Sequence, residues 1–337
     1  MAACGSSTST SSPDGGPPDH VPALVDGESI LDAPGAPSPD DGSPQASQGG
    51  GGLDAPGAPS PDDGSPQASQ GGDAANPCPG AKPDATNTGV PPGVALMTVN
   101  QDVVVSQDGT VIDAQDIHGF LTIKASHVTV SRSIVRGHAT SATTAIIRVD
   151  SGTDITIEDV EIAAAAPSVD VDGLSAQNVV ARRLNIHGGV DGMKLGSNST
   201  LECSYVHDLV SFDSDPNQNG GPTHNDAIQI LSGTTIHIIG NQLVAAMDQN
   251  SAIQITEDFG VVSDVHIESN WADGGGCTYN FSHKGQASLG DLHTKGNRFG
   301  RNSFYNCPIL KSTQTTLDSQ DDVWEDDGTP VPIQTHD

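Results

Sequence analysis

The stretch His224-Asn225-Asp226-Ala227-Ile228-Gln229-Ile230 decides the fold of this chain, because short strands like it recur before and after it. The related segments are Ala145-Ile146-Ile147-Arg148-Val149, Asp172-Gly173-Leu174-Ser175-Ala176, Asp191-Gly192-Met193-Lys194-Leu195, Ser251-Ala252-Ile253-Gln254-Ile255 and Cys277-Thr278-Tyr279-Asn280-Phe281. A second set of strands follows the first: Val128-Thr129-Val130, Ile155-Thr156-Ile157, Val179-Val180-Ala181, Leu201-Glu202-Cys203, Ile236-His237-Ile238, Val265-His266-Ile267 and Leu292-His293-Thr294. One strand type repeated along a chain, with a second strand after each copy, indicates a solenoid.

The spacing of the second strand set gives the length of one solenoid coil. Successive strands begin 27, 24, 22, 35, 29 and 27 residues apart. This spacing fits a coil of roughly 22 residues that carries loop insertions. Alternation within each strand predicts one row of side chains that faces the core and one row that faces outward.

A row of asparagines marks the turn after the second strand. Three residues past the last strand position, successive coils carry Ser133, Val160, Leu184, Val206, Asn241, Asn270 and Asn297, and the last three predict a stacked Asn ladder. In this ladder, its coil length and its Asp-Gly-Ile-like strand starts, the chain resembles the right-handed parallel β-helix proteins of the pectate-lyase and polygalacturonase type over about residues 95–327. The resemblance implies an all-β fold, a right-handed, single-stranded parallel β-helix. A β-sandwich fits less well, because it requires neither recurrent turns nor a stacked Asn row.

Residues 1–90 are predicted to be a disordered tether, and residues 91–337 the β-helix domain. The tether contains Ser, Thr, Pro, Gly, Asp and Ala with few large apolar residues, so it cannot bury a core. A 20-residue unit occurs in it twice without change, at Leu31–Gly50 and Leu53–Gly72, which suggests a spacer. Its Pro and Asp content predicts an extended chain.

The first four residues, Met1-Ala2-Ala3-Cys4, resemble the end of a bacterial lipoprotein signal, where a Leu-Ala-Ala-Cys box precedes lipidation of the Cys. The resemblance implies lipidation at Cys4 and an extracellular or cell-surface location. The alternative is a chance Cys close to a native start. No run of about 18 apolar residues is present, so a membrane partner is expected only through the lipid.

The charge of the chain excludes some classes of partner. Of 43 acidic and 13 basic residues, 31 acidic and 12 basic ones lie from residue 91 onward, a net charge of 12 − 31 = −19. Such a field repels nucleic acid and anionic lipid, so neither is an expected partner. We expect a monomer whose partner is a polysaccharide.

Four cysteines remain beside Cys4. Cys203 falls in the inward row of the second strand set, so we expect a buried thiol there. Cys277 and Cys307 lie about one coil apart and could form a disulfide between stacked coils, which an exported protein would permit. The cysteine spacings match no zinc site.

The outward row of the first strand set is polar and predicts a substrate-binding stripe. It contains Arg148, Ser175, Lys194, Gln229, Gln254 and Asn280. Stacked at about 4.8 Å, these side chains would offer hydrogen bonds at a repeat close to that of a sugar polymer. The alternative is an ordinary solvated β face.

Three aspartates, Asp172, Asp191 and Asp226, stand where strands of the first set begin, and they are candidates for acid–base chemistry. Carboxylates one coil apart would be about 5 Å apart, a separation that suits glycoside hydrolysis. Like charges at that distance also raise one pKa and create a proton donor. The resemblance to polygalacturonases implies catalytic Asp residues at comparable positions, although their Asn-Thr-Asp, Gly-His-Gly and Arg-Ile-Lys motifs are not reproduced. The alternative is that each Asp caps a turn.

The insertion that lengthens one coil to 35 residues has the spacing of a calcium loop. Its predicted ligands are Asp215, Asn217, Asn219 and, at the twelfth position, Asp226, with Gly220 at the sixth. The alternative is a plain surface loop. With calcium as cofactor, a uronate lyase or epimerase would use Lys194 or His224 as base.

The sequence therefore supports two hypotheses about function. The first is a carbohydrate-active enzyme, a uronate polysaccharide lyase, an epimerase or a glycoside hydrolase, with Asp191, Asp226, Lys194 and His224 as catalytic residues. The second is a non-catalytic glycan-binding or adhesin-type protein that uses the same polar stripe. An enzyme predicts that the four residues converge, and an adhesin predicts that they are apart and solvated.

Overall fold

The strands stack into three parallel sheets, the arrangement of a parallel β-helix solenoid. The computed structural model describes Cys78 and residues 82–246, 250–282 and 289–336. Within these residues each sheet pairs every third strand of the chain, and every pairing between named strands is parallel.

The strands, numbered along the chain, belong to the three sheets as follows. Sheet 1 contains β1 (Met97–Val99), β4 (Gln115–Ile117), β7 (Ile134–Val135), β10 (Glu161–Ala163), β13 (Asn185–His187), β16 (Tyr205–His207), β19 (Gln242–Val244), β22 (Trp271–Asp273), β25 (Arg298–Phe299) and β28 (Val323–Trp324). Sheet 2 contains β2 (Val103–Val105), β5 (Leu121–Ile123), β8 (Thr144–Val149), β11 (Val171–Ala176), β14 (Met193–Leu195), β17 (Asp226–Ile230), β20 (Ser251–Ile255), β23 (Tyr279–Phe281), β26 (Ile309–Ser312) and β29 (Ile333–His336). Sheet 3 contains β3 (Val111–Asp113), β6 (Thr129–Ser131), β9 (Ile155–Glu158), β12 (Val179–Arg182), β15 (Ser199–Glu202), β18 (Gly233–Ile239), β21 (Val262–Glu268), β24 (Leu292–Lys295) and β27 (Leu317–Gln320).

Sheets 2 and 3 correspond to the two strand sets that the sequence predicts, whereas sheet 1 adds a third strand to each coil. Its strands are only two or three residues long. A typical member, β16, contributes one fully buried side chain, Val206, between the partly buried Tyr205 and His207. Two or three residues show too little alternation of apolar and polar positions to be distinguished from a turn, so the strands of sheet 1 were not predicted.

The core consists of aliphatic side chains that repeat at the same position of each coil. In sheet 2 the fully buried row runs through Ile147, Leu174, Met193, Ile228 and Ile253. Each such side chain contributes about 1.5–3 kcal/mol through its removal from water. The stack fixes the register, because a slip of one residue would expose the whole row.

The Asn ladder is present at the turn between sheets 3 and 1. Asn241, Asn270 and Asn297 are fully buried, and each donates its Nδ2 hydrogens to a main-chain carbonyl and to the side-chain oxygen of the next coil. The ladder ends on Asp322, whose Oδ1 accepts from Asn297. The expected place of Val206 in this row was wrong, because Ser204 occupies it and donates its main-chain N–H to Asn241 Oδ1.

Two disulfides cross-link the solenoid. Cys203 pairs with Cys78, so the expected free thiol was wrong. Its position was also misassigned: Leu201 occupies the inward row, and Cys203 lies in the turn with a φ of 53°. The second disulfide joins Cys277 and Cys307, whose Cα atoms are 4.7 Å apart.

The chain just before residue 91 packs against the solenoid. Besides the Cys78 disulfide, the Gly89 N–H donates to the Arg183 carbonyl, and Lys82 forms an ion pair with Glu325. These contacts attach residues on the tether side of the predicted boundary to the β-helix. The predicted lipidation site Cys4 and the duplicated unit lie outside the described residues.

Helix is nearly absent from the described residues. The helix that they contain is the 3-10 turn Pro216–Gln218, capped by Asp215. No helix among them is long and apolar enough to cross a membrane.

Candidate functional site

Strand register in sheet 2 places the predicted polar residues in two parallel rows. The outer row is continuous through Arg148, Ser175, Lys194, Gln229, Gln254 and Asn280, as the sequence predicts. The acid row, Asp172, Asp191 and Asp226, lies beside it at the corner where the chain enters the sheet. The two rows meet at Lys194.

Glycine after the first two acids lets the coils close up at this corner. A Cβ atom on Gly192 would lie 2.3 Å from Val206 Cγ1 and 2.5 Å from the Ala227 carbonyl oxygen. Gly173 is similarly crowded, 2.4 Å from the Gly192 carbonyl oxygen. The Asp-Gly pattern therefore has a steric cause, since the residue after each acid turns into the core.

Hydrogen bonds link the three acids to one another and to Lys194. The Lys194 ammonium lies 2.6 Å from Asp172 Oδ2 and 2.9 Å from Asp191 Oδ2. Asp191 Oδ1 accepts the main-chain N–H of Asp226 at 2.9 Å. The exposed fractions are 8 % for Asp172, 4 % for Asp191 and 0 % for Asp226, against 33 % for the Lys194 side chain. The cluster is thus a buried group of carboxyls with a lysine at its solvent side.

Burial determines the protonation of this cluster. Desolvation, only partly offset by the charge of Lys194, raises the pKa of Asp172 to about 6. Desolvation and then the charge of Asp191 raise the pKa of Asp226 well above its ordinary value. Burial works against the Lys194 ammonium, but the charges of Asp191 and Asp172 outweigh it and raise the pKa of Lys194. Burial therefore favours the neutral form of Asp226, whereas the two carboxyls in contact with Lys194 favour its charged form.

Amide side chains hold Asp226 in place. Its Oδ2 accepts from Gln229 Nε2 and from Asn250 Nδ2, each at 3.3 Å. Its Oδ1 is buried and has no hydrogen-bond partner in the described part of the chain. Asn225, directly before it, is fixed by Nδ2 bonds to the carbonyls of Val190 and Val210. Asp226 is therefore held through its Oδ2 and its main-chain N–H, whereas Oδ1 has no partner among the described residues.

Asn225 and Asn250 were not predicted to be site residues, although the sequence carries a signal for both. The coil at Asn225-Asp226-Ala227-Ile228-Gln229-Ile230 is followed by Asn250-Ser251-Ala252-Ile253-Gln254-Ile255. The two segments differ only at the second position, where Asp226 and Ser251 pair in the register. This near-duplicate isolates Asp226 as the residue that distinguishes the two coils.

Other predicted site residues lie apart from the cluster or are already paired. His224 is exposed, and none of the contacts described for the cluster involves it. Gln254 and Asn280, expected to bind substrate, are buried. Arg148 forms an ion pair with Asp150 at 2.6 Å. The open part of the outer row therefore consists of its first four members, from Arg148 through Ser175 and Lys194 to Gln229.

The predicted calcium ligands make contacts with different parts of the molecule. Asp215 accepts the Asn217 N–H as a helix cap, and Asn217 Nδ2 donates to Asp170. Asn219 is exposed at the end of the 3-10 turn with a φ of 55°. The contacts of Asp226 are with Gln229, Asn250 and Asp191 instead. Within the described ranges, no group of three or more His, Cys, Asp or Glu side chains is arranged to hold a metal ion.

The chain was compared with known protein families, curated proteins and solved structures. No protein-family model, no curated protein and no solved structure gives a significant match to the chain.

Proposed function

We propose that this chain acts on polysaccharide as a glycoside hydrolase whose acid–base pair is Asp226 and Asp191. The observation that carries the proposal is the convergence of a buried carboxyl of raised pKa with a carboxylate held by Lys194. Glycoside hydrolysis needs one carboxyl that keeps its proton and one that is ionised. We assign the first role to Asp226 and the second to Asp191, which lie on neighbouring coils and are joined by the Asp226 N–H bond to Asp191 Oδ1.

The roles of the residues follow from their surroundings. Asp226, protonated, donates to the glycosidic oxygen, and Asp191 is the nucleophile or base. Neighbouring strands are about 4.8 Å apart, which is closer to the roughly 5–5.5 Å of retaining enzymes than to inverting ones. Lys194 is a positioning residue whose ammonium holds Asp191 Oδ2 in an ion pair at 2.9 Å. The Gln229 and Asn250 side chains cover Asp226 and must swing away when the glycan binds.

A hydrolase is favoured over a uronate lyase or epimerase for two reasons. An ammonium bound to two carboxyls, with its pKa raised, is a poor base for proton abstraction. The cluster carries more acids than bases, in a domain of net charge −19 by the count above. A neutral polysaccharide is therefore a better substrate than a polyuronate, unless calcium bound by the 215–226 loop screens the charge.

A non-catalytic glycan-binding or adhesin-type protein is the second candidate. Its support is the complete burial of Asp226, which in the resting structure leaves only the outer row open to a ligand. For this candidate the acid cluster only stabilises the corner between sheets 1 and 2. The part of the outer row from Arg148 to Gln229 binds the polymer without turnover.

We further propose that the domain is displayed outside the cell. Two disulfides favour an oxidising compartment, which agrees with lipidation at Cys4. The solenoid is proposed to be right-handed and to belong with the pectate-lyase and polygalacturonase type, since crossover connections between parallel strands are almost always right-handed. A monomer is expected.

The test is an assay of the purified full chain against neutral glycans, pectin and alginate, with calcium and with a chelator. New reducing ends from a neutral glycan, without absorbance at 232 nm, would support the hydrolase. Unsaturated product at 232 nm would replace it with a lyase. Binding without turnover would leave the second candidate, and neither binding nor turnover would remove both.

A further inference from the structure

An exposed pair of aromatic side chains stands at the same corner as the acid cluster. Phe304 is 59 % and Tyr305 54 % exposed, and their rings meet edge to face with centroids 4.9 Å apart. The chain contains only 2 Trp, 3 Tyr and 6 Phe residues, so two adjacent exposed rings stand out. They lie in the connection from β25 to β26; Asp191 lies in the equivalent connection from β13 to β14, and Asp172 and Asp226 lie where β11 and β17 begin.

The backbone beneath these rings is fixed. Phe304 and Tyr305 donate their main-chain N–H groups to the carbonyls of Gly275 and Gly276 at 2.8 and 3.1 Å. The Cys277–Cys307 disulfide closes the loop directly after them. A Cβ atom on Gly276 would lie 3.4 Å from Tyr305 Cε2, so the ring rests against the bare glycine. Rings that are exposed but rigidly held lose little freedom when they bind a ligand.

A continuous series of contacts joins the aromatic pair to the acid. Tyr305 bonds to Gly276, the Gly276 N–H donates to the Asn250 carbonyl at 3.1 Å, and Asn250 Nδ2 donates to Asp226. Strand register counts three steps along the solenoid, from β17 through β20 and β23 to β26. Three steps at about 4.8 Å are roughly 14 Å, close to three sugar units.

The pair is better suited to a sugar than to a protein partner. Two half-exposed rings offer on the order of 200 Å² of aromatic surface. A stable protein interface needs about 800 Å² on each side. The apolar C–H face of a pyranose, in contrast, matches one ring, because the ring face is electron-rich.

We propose that Phe304 and Tyr305 form a stacking platform for a neutral glycan chain that runs along the solenoid axis, about three sugar units from Asp226. This inference rests on the proposed function and names a binding subsite for it. The platform predicts that affinity depends on chain length: oligosaccharides long enough to span both places bind more tightly than those that reach only the acid cluster.

The experiment measures binding of neutral oligosaccharides of two to eight units (cello-, xylo- and manno-oligosaccharides) by calorimetry, with oligogalacturonate as the charged comparison. The full-length protein is compared with a Phe304→Ala/Tyr305→Ala double variant, with Tyr305→Phe, and with Phe259→Ala. Phe259 is the matched control, since it is 71 % exposed in the connection between β20 and β21. Thermal unfolding of each variant checks the fold.

The expected result is a rise of about tenfold in affinity between three and five units in the parent protein. The double variant should lose this rise, whereas Tyr305→Phe and Phe259→Ala should keep it. Equal binding by parent and double variant would overturn the platform and leave the proposed function in place. A rise in affinity without cleavage would support the platform and remove the hydrolase. Absence of binding to every series, or a change in oligomeric state in the double variant, would overturn the platform.

Discussion

Two corners of this solenoid stack polar side chains coil upon coil, and they do so with opposite chemistry. The Asn ladder at the sheet 3–sheet 1 turn is neutral, and each Nδ2 group of Asn241, Asn270 and Asn297 has two acceptors. The acid row at the sheet 1–sheet 2 corner stacks carboxyls, and one oxygen of Asp226 has no partner among the described residues. Both places are buried.

The difference shows that the acids are not needed to stack coils. Amides achieve the same stacking without like charges, and Ser251 occupies the position next to Asp226 in an otherwise matching segment. Burying several carboxyls beside one ammonium costs free energy that an amide would not. Groups kept at such a cost, with perturbed pKa values, are the usual mark of a functional site.

The largest expected effect is that of Asp226→Asn on turnover. An amide cannot donate the proton, so hydrolysis of the neutral glycan should fall about a thousandfold. The measurement is the rate of reducing-end release under saturating glycan. Asp226→Ser is a matched variant that reproduces the Ser251 coil, and it should fold and be equally inactive. A variant that folds and keeps most of its activity would contradict the role of Asp226.

The reciprocal exchange, Asn270→Asp, should damage stability instead. The carboxylate loses the Nδ2 donor to the Ile238 carbonyl and faces Asn297 Oδ1 without a hydrogen between them. We expect a loss of about 3–4 kcal/mol in the free energy of unfolding at pH 7, measured by denaturant titration. Part of this loss should return at pH 4, where the new carboxyl can be protonated. If the variant were as stable as the parent protein, the Asn ladder would tolerate a buried charge, and the contrast between the two corners would be contradicted.

Lys194→Met should destabilise the acid corner in a pH-dependent way. It leaves Asp172 and Asp191 buried without a counter-charge, at a cost of about 2–3 kcal/mol at pH 8, because the lysine itself is partly exposed. The deficit should shrink toward pH 5 as Asp172, whose pKa is raised to about 6, takes up a proton. Lys295→Met, at an exposed position of β24, is the control and should have little effect at either pH. Thermal unfolding at both pH values provides the comparison.

Raised carboxyl pKa values also fix the sign of a pH effect in the parent protein. The folded state holds its protons more tightly than the unfolded chain, so these groups lower stability as pH rises. For Asp172 the loss runs from about pH 4 through about pH 6, and for Asp226 it continues until the pH passes its own raised pKa. The substitution Asp226→Asn removes the contribution of Asp226 to this loss of stability at high pH. The variant should therefore be more stable than the parent at pH 8 and similar to it at pH 4, whereas a variant that is less stable at pH 8 would contradict the raised pKa.

The smallest effect is expected from His224→Ala. The imidazole is exposed and apart from the acid cluster, so a hydrolase should lose less than about tenfold in rate. A lyase that used His224 as base would lose far more. The assay is the same glycan turnover, with His127→Ala as an exposed control distant in sequence.

Much of the fold could be predicted from the sequence, because the strands of sheets 2 and 3 have long enough alternation. The outer row from Arg148 to Asn280 follows from that alternation alone. The third sheet could not be predicted in the same way, since strands such as β7 and β25 have only two residues. The misplacement of Cys203 by two residues had a local cause: β15 ends at Glu202, and the left-handed turn residue after it resembles a continuing strand.

For the candidate site, the sequence indicated which acids share a row but not their environment. Burial of Asp226, the bridging position of Lys194 and the amide of Asn250 depend on how neighbouring coils pack. Residues Asp215, Asn217 and Asn219 match a calcium spacing along the chain, yet spacing does not determine where a loop's side chains point. The exposed position of His224, next in sequence to buried residues, follows from the same packing.

The protonation state of Asp226 is the most direct test of this account. Carbon-13 NMR of protein labelled at aspartate Cγ would follow each carboxyl from pH 3 to pH 9, and the resonance absent from Asp226→Asn would assign the group. We predict that this carboxyl titrates at a pH well above the ordinary range of an aspartate, because it is buried beside Asp191. Titration of Asp226 near pH 4 would contradict the proposed function, because Asp226 would then hold no proton to donate to the glycan.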